Sequence, residues 1–145
     1  MALLDHISSF NSSESTTTLL AGEPVPFSTN QTSFRTSIVQ TDSDTFTIGE
    51  TGHYRVTAVL QTDFSTSVDG GVTLELNGVP IGPQRSIVDL GGNLVLDEII
   101  EVSTVPSTLE VVATGLGLTL AVGDSATITI TRVSDLAAPL TQLTF

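Results

Sequence analysis

The residues that could do chemistry in this chain are few. The two histidines, His6 and His53, stand far apart, cysteine is absent, and no HExxH pattern occurs. A zinc site asks for three or four nitrogen and sulfur ligands brought together, which this set cannot supply from any one motif. Asp42 and Asp44 form a DxD pair, and Asp63 with Asp69 flank another loop, so their oxygens could meet around calcium. Neither loop has the EF-hand rhythm of ligands with its central glycine and terminal glutamate, and a solvated acidic turn is the simpler reading. Serine and aspartate are plentiful, but no GxSxG elbow presents a nucleophile. Gly115-Leu116-Gly117 opens like a phosphate loop, then lacks the third glycine and the helix; it reads as strand glycine admitting a close backbone. The expectation is no enzyme, no cofactor and no metal.

The charge narrows the partners. Four arginines, no lysine and sixteen acids give a net charge of −12. Such a surface repels nucleic-acid phosphates and anionic headgroups, so neither nucleic acid nor membrane insertion is expected. No run of about eighteen apolar residues could span a bilayer as a helix. Yet only 14% of residues are charged and the mean hydropathy is +0.31. Outward faces this apolar imply cover from other copies.

The elements that must carry the function are strands. In Thr45 to Leu60, TFTIGETGHYRVTAVL, two period-2 runs flank a Gly49 to Gly52 turn. Phe46 and Ile48 fall on one side of a sheet with Tyr54, Val56, Ala58 and Leu60, while His53, Arg55, Thr57 and Gln61 fall on the other. Val72, Leu74 and Leu76 alternate with polar residues up to Asn77-Gly78, a tight hairpin signal. Leu94, Leu96, Ile100 and Val102 share one face and Val95 and Ile99 the other, the mark of a strand covered on both sides. Leu109, Val111 and Ala113 form a further strand, as do Leu116 to Val122, ending at Gly123-Asp124, and Ala126, Ile128 and Ile130. Pro24 and Pro26 bracket an edge strand. Polar threonine faces, Thr57, Thr73, Thr127, Thr129 and Thr131, could hold a sugar, but the chain has no tryptophan and one tyrosine to stack on it. About eight strands predict an all-β, two-sheet antiparallel jelly-roll sandwich; an immunoglobulin-like sandwich is the alternative.

The chain divides into three. Residues 1–20 read as an apolar tip, MALLDHISSF, and a Ser/Thr-rich linker, 21–135 as the sandwich, and 136–145 as an apolar extension. Leu3, Leu4, Ile7 and Phe10 are expected to dock onto a neighbouring assembly. Val95, Ile99 and Val112 are expected to line a subunit interface.

PVPF at 24–27, DTFTIGETGHYRVTAV at 44–59, GGVTLELNGVPI at 70–81 and STLEVVATGLGLTLAVGDSATITI at 107–130 resemble the C-terminal domain of the Bacillus collagen-like exosporium glycoprotein BclA. The resemblance spans about residues 24–133. It implies a tumour necrosis factor-like jelly roll forming homotrimers on the spore surface, with no catalytic residues to carry over and an exosporium anchoring protein as a possible partner. No Gly-X-Y tract occurs, so no collagen stalk is expected. In its place the tip would join trimers head to tail into a fibre or appendage. A carbohydrate-binding adhesin or a phage structural head are the competing readings.

Overall fold

The computed structural model describes residues 5–35, 37–63, 70–86 and 92–136. These form β1 (His6–Ser13), β2 (Thr17–Leu19), β3 (Thr29–Phe34), β4 (Ile38–Asp42), β5 (Thr45–Ile48), β6 (Gly52–Gln61), β7 (Gly70–Leu76), β8 (Val79–Ser86), β9 (Asn93–Val102), β10 (Ser107–Gly115), β11 (Leu118–Leu120) and β12 (Gly123–Ser134). A first sheet has the order β3-β1-β12-β6-β9, a second the order β4-β5-β10-β7-β8, and β11 pairs with β2 in a small third sheet. Every ladder is antiparallel. The connections β3 to β4, β5 to β6, β8 to β9 and β9 to β10 each cross from one sheet to the other. This is the jelly-roll sandwich that the strand pattern predicts.

Alternation builds the core. Tyr54, Val56, Ala58 and Leu60 from the first sheet are fully buried, as are Phe46 and Ile48 from the second. The two runs therefore share the core as expected, but from opposite sides: the Gly49–Thr51 turn carries the chain between sheets instead of folding it back in one. Phe27 meets Phe46 with ring centroids 6.1 Å apart. The Tyr54 hydroxyl donates to the Glu50 carbonyl at 2.6 Å, satisfying the one polar atom of the largest core side chain. Asn77 and Gly78 take φ values of 54° and 80°, the positive pair that a two-residue hairpin requires, and join β7 to β8.

Two sequence expectations fail here. Residues 1–20 do not separate into a tip and a linker, because His6 to Ser13 is an internal strand between β3 and β12. Backbone ladders on both sides hold it despite its polar composition. Its inward side chains include Ser9, which donates to Gln40 at 2.7 Å, and Asn11, which accepts from Ser28 at 3.1 Å, so the buried polar groups have partners. The alternation from Leu116 to Val122 is likewise not one strand. Gly115 and Gly117 have positive φ, β11 covers only Leu118–Leu120, and Leu116 and Val122 are exposed. Gly117 packs so closely that a Cβ there would lie 2.2 Å from the Leu19 carbonyl oxygen. This is the close backbone approach expected of that glycine.

Candidate assembly interface

The sandwich has two ends. β1, β6 and β10 start at the first end and β9 and β12 finish there; the small β2/β11 sheet closes the second. Asp5 roots β1 at the first end: it is buried, Arg35 Nε approaches it at 3.1 Å, Ser37 donates to its carboxylate, and its carbonyl accepts the Arg132 N–H at 2.8 Å. Arg132 also donates to the Thr51 carbonyl at 2.7 Å and to Asp135 at 2.5 Å, so the chain leaves from the same end.

The outer face of the first sheet is ordered in cross-strand rows. Thr29, Phe10, Thr127, Val59 and Val95 make one row, Thr32, Ser8, Thr129, Thr57 and Asp97 the next, and Phe34, His6, Thr131, Arg55 and Ile99 the third. The first row is thus partly apolar in the open: Val59 is 37% exposed and Val95 49%. The middle row is hydroxyl-rich and ends in an ion pair. Arg55 donates to Asp97 through Nε at 3.0 Å and Nη2 at 2.8 Å, and Thr57 donates to the same carboxylate at 3.0 Å. These bonds hold the Asp97 carboxyl down at about 2, with the arginine bonds the leading cause. In the third row the Phe34 ring stacks on His6 at 5.9 Å and lies 5.4 Å from the Arg35 guanidinium. Ile99, 66% exposed, closes that row on the edge strand.

The predicted site residues divide accordingly. Val95 and Ile99 share this outer face, both on β9, an edge strand paired without a bulge along its ten residues. Val112 does not join them. It lies on β10 in the second sheet, only 3% exposed, on the floor of a groove of about 460 Å³ walled by Ala21, Thr73, Pro80 and Gln84. The three do not share one face of the subunit. Of the docking set, Ile7 points inward at 1% exposure and belongs to the core, because it has the inward parity of β1. Phe10 has the outward parity and stands in the first row, opposite Thr127. Leu3 and Leu4 lie outside the described residues. Sequence reasoning missed Phe10 and Val59 as members of this face; the signal was Val59 itself, apolar among the outward His53, Arg55, Thr57 and Gln61.

The acidic and histidine side chains singled out in the sequence make turn and surface contacts. Asp42 and Asp44 sit at the β4–β5 hairpin, with the Asp42 carboxylate accepting the Ser43 N–H and that of Asp44 the Thr45 hydroxyl. Among the described residues no three His, Cys, Asp or Glu side chains gather as a metal site would need. Asp69 lies outside them. His53 is partly exposed and approaches Glu101 at 3.6 Å, a surface contact.

Solved structures share the fold. Murine APRIL is similar with a TM-score of 0.70 at 8% identity, covering 90% of this chain and 100% of its own. Eiger TNF from S. frugiperda gives 0.67 at 10%, covering 95% and 98%. The PRD1 vertex protein P5 gives 0.64 at 12%, covering 94% and 100%. Among curated proteins none matches. The family model of the BclA C-terminal domain matches residues 7–134, reaching back through β1 and forward to the last residue of β12, so the chain belongs to the BclA C-terminal domain family.

Proposed function

We propose that this protein is a non-enzymatic structural head that associates as a homotrimer through the outer face of its first sheet. The observation that carries the reading is the half-open apolar row of Phe10, Val59 and Val95, with Ile99 exposed further along the same edge strand, on a sheet whose opposite face already fills the core. Long edge strands are normally blunted by proline, a bulge or charge; β9 has neither proline nor bulge, and of its acids Asp97 is neutralised by Arg55, which leaves Val95 and Ile99 open beside it. Packing the β9 edge of one copy against the hydroxyl-rich rows of the next covers both, and three such steps close a ring. Membership in the BclA C-terminal domain family supports a place on the spore surface, in the exosporium, held there by an anchoring protein.

The sharper version is a fibre. Copies joined through a lateral face leave both ends of each sandwich free, and the apolar Met1–Leu4 segment enters the fold at the first end through the buried Asp5. Docking that segment on the next trimer would give a head-to-tail contact that does not close. Val95→Asp places a charge in the lateral face and should yield monomers by light scattering; an unchanged trimer mass rejects the face. Deleting Met1–Leu4 should leave trimers and abolish fibres in negative-stain micrographs. Fibres that persist would reject the head-to-tail version.

The adhesin reading would use the groove above Val112, where Thr73, Gln84 and Glu75 offer polar contacts beside Pro80. Saturable binding on a glycan array, lost in Gln84→Ala, would favour it.

A further inference from the structure

The second end of the sandwich carries an apolar group that neither the core nor the lateral face uses. Leu20 is 66% exposed, Leu116 68% and Val122 58%. Leu116 and Leu20 flank the same ladder, since Leu118 pairs with Leu19 and the Gly117 backbone sits against Leu19 and Leu20. Val122 follows from Leu120, which pairs with Thr17 of the same small sheet, and precedes Gly123, which pairs with Ser13. Leu116 and Leu20 are therefore fixed on tight turns, held up by a two-stranded ladder and by the Ala121 N–H bond to the Gln61 carbonyl at 2.9 Å. Large aliphatics this exposed on an ordered end are costly unless covered.

We infer that Leu20, Leu116 and Val122 form the acceptor for the Met1–Leu4 segment of a copy in the next trimer; this rests on the head-to-tail reading above. The polarity of the fold supports it. β1 runs from His6 at the first end to Ser13 at the second, so Asp5, to which the segment is joined, and the three exposed aliphatics lie at opposite ends of one subunit. A segment cannot reach across its own sandwich: four extended residues span about 14 Å at most, less than the length of an eight-residue strand. It can reach the apex of a copy stacked below. Arg35, Ser37 and the Arg132 N–H all hold Asp5, which fixes the point from which the segment leaves the sandwich. Val79, Val105 and Val133, also exposed, lie toward the first end and would meet the same neighbour. With a net charge of −12 on every copy, burial of apolar surface and not charge attraction must drive the contact.

The test uses two variants of the full chain, one lacking Met1–Leu4 and one carrying Leu20→Ser, Leu116→Ser and Val122→Thr. The substituted positions are exposed, so the triple variant should keep the trimer mass and the melting temperature of the parent. Each variant alone should give single trimers and no fibres. Mixed, they should form pairs of trimers at twice the mass and nothing longer, because only one tip-bearing face meets one intact apex. If the triple variant still forms fibres while the tip deletion does not, the acceptor lies elsewhere and the inference falls, with the fibre reading intact. If the tip deletion forms fibres, the head-to-tail reading itself falls. Loss of fibres on removing residues 137–145, with fibres kept on removing Met1–Leu4, would transfer the role to the other segment and overturn the inference.

Discussion

Arg55 on β6 clasps Asp97 on β9 with two hydrogen bonds, 3.0 Å and 2.8 Å long, at the β9 edge of the outer face of the first sheet. The clasp ties the edge strand to its neighbour beside Val95 and Ile99. The carboxyl is held at about 2 against an ordinary 3.8, so the unfolded chain takes up a proton first on acidification. The pair's contribution is complete above pH 3.8 and is lost as the pH falls through about 2. Comparing thermal melts of the parent and Asp97→Asn should show a constant gap from pH 7 to about 5 that closes toward pH 2. A gap that widens on acidification would contradict this account.

Ile7 tests whether β1 is part of the domain. Ile7→Ala removes a fully buried aliphatic and should cost about 2–5 kcal/mol in denaturant unfolding. A residue in a free linker would cost nothing, so an unchanged midpoint would dislodge β1 from the sheet.

Strands whose inward residues are almost all apolar were legible in the sequence: Tyr54 to Leu60, Leu94 to Val102 and Ala126 to Ile130 fall on the core in the parity their alternation dictates, with Glu98 the one charged residue at an inward position. β1 was not, because Ser9 and Asn11 within it and Asp5 just before it are buried polar residues that depend on Gln40, Ser28 and Arg35, partners distant in sequence that period-2 reading cannot see. The same limit hid the site. Val95 and Ile99 announce an outer face by breaking the polar parity of β9, but that they share it with Phe10 follows only from the order β1-β12-β6-β9. Val112 looks equivalent in sequence and lies on the other sheet. The Leu116 to Val122 alternation misled because positive φ at Gly115 and Gly117 turns the chain where side-chain pattern continues.

Gly117→Ala should be among the most harmful single changes at the second end. The φ of 79° disfavours any side chain, and the Leu19 carbonyl leaves no space for the methyl. A loss of about 2 kcal/mol or more is expected from chemical denaturation. Because Leu116 and Leu20 would shift together, any fibres should also be lost from protein that still folds.

Removing the hydroxyl of Tyr54 isolates one bond. Tyr54→Phe leaves the ring packed and the Glu50 carbonyl without its donor, which should cost about 1 kcal/mol. The trimer mass should not change, since Tyr54 faces the core.

The claim on which the rest stands is that the outer face of the first sheet is covered by other copies. Light scattering of the purified chain at micromolar concentration tests it most directly. The account predicts a mass three times that of the 15.1 kDa subunit, falling to one subunit in Val95→Asp. A parent chain that runs as a stable monomer, its Val59, Val95 and Ile99 open to water, would contradict it.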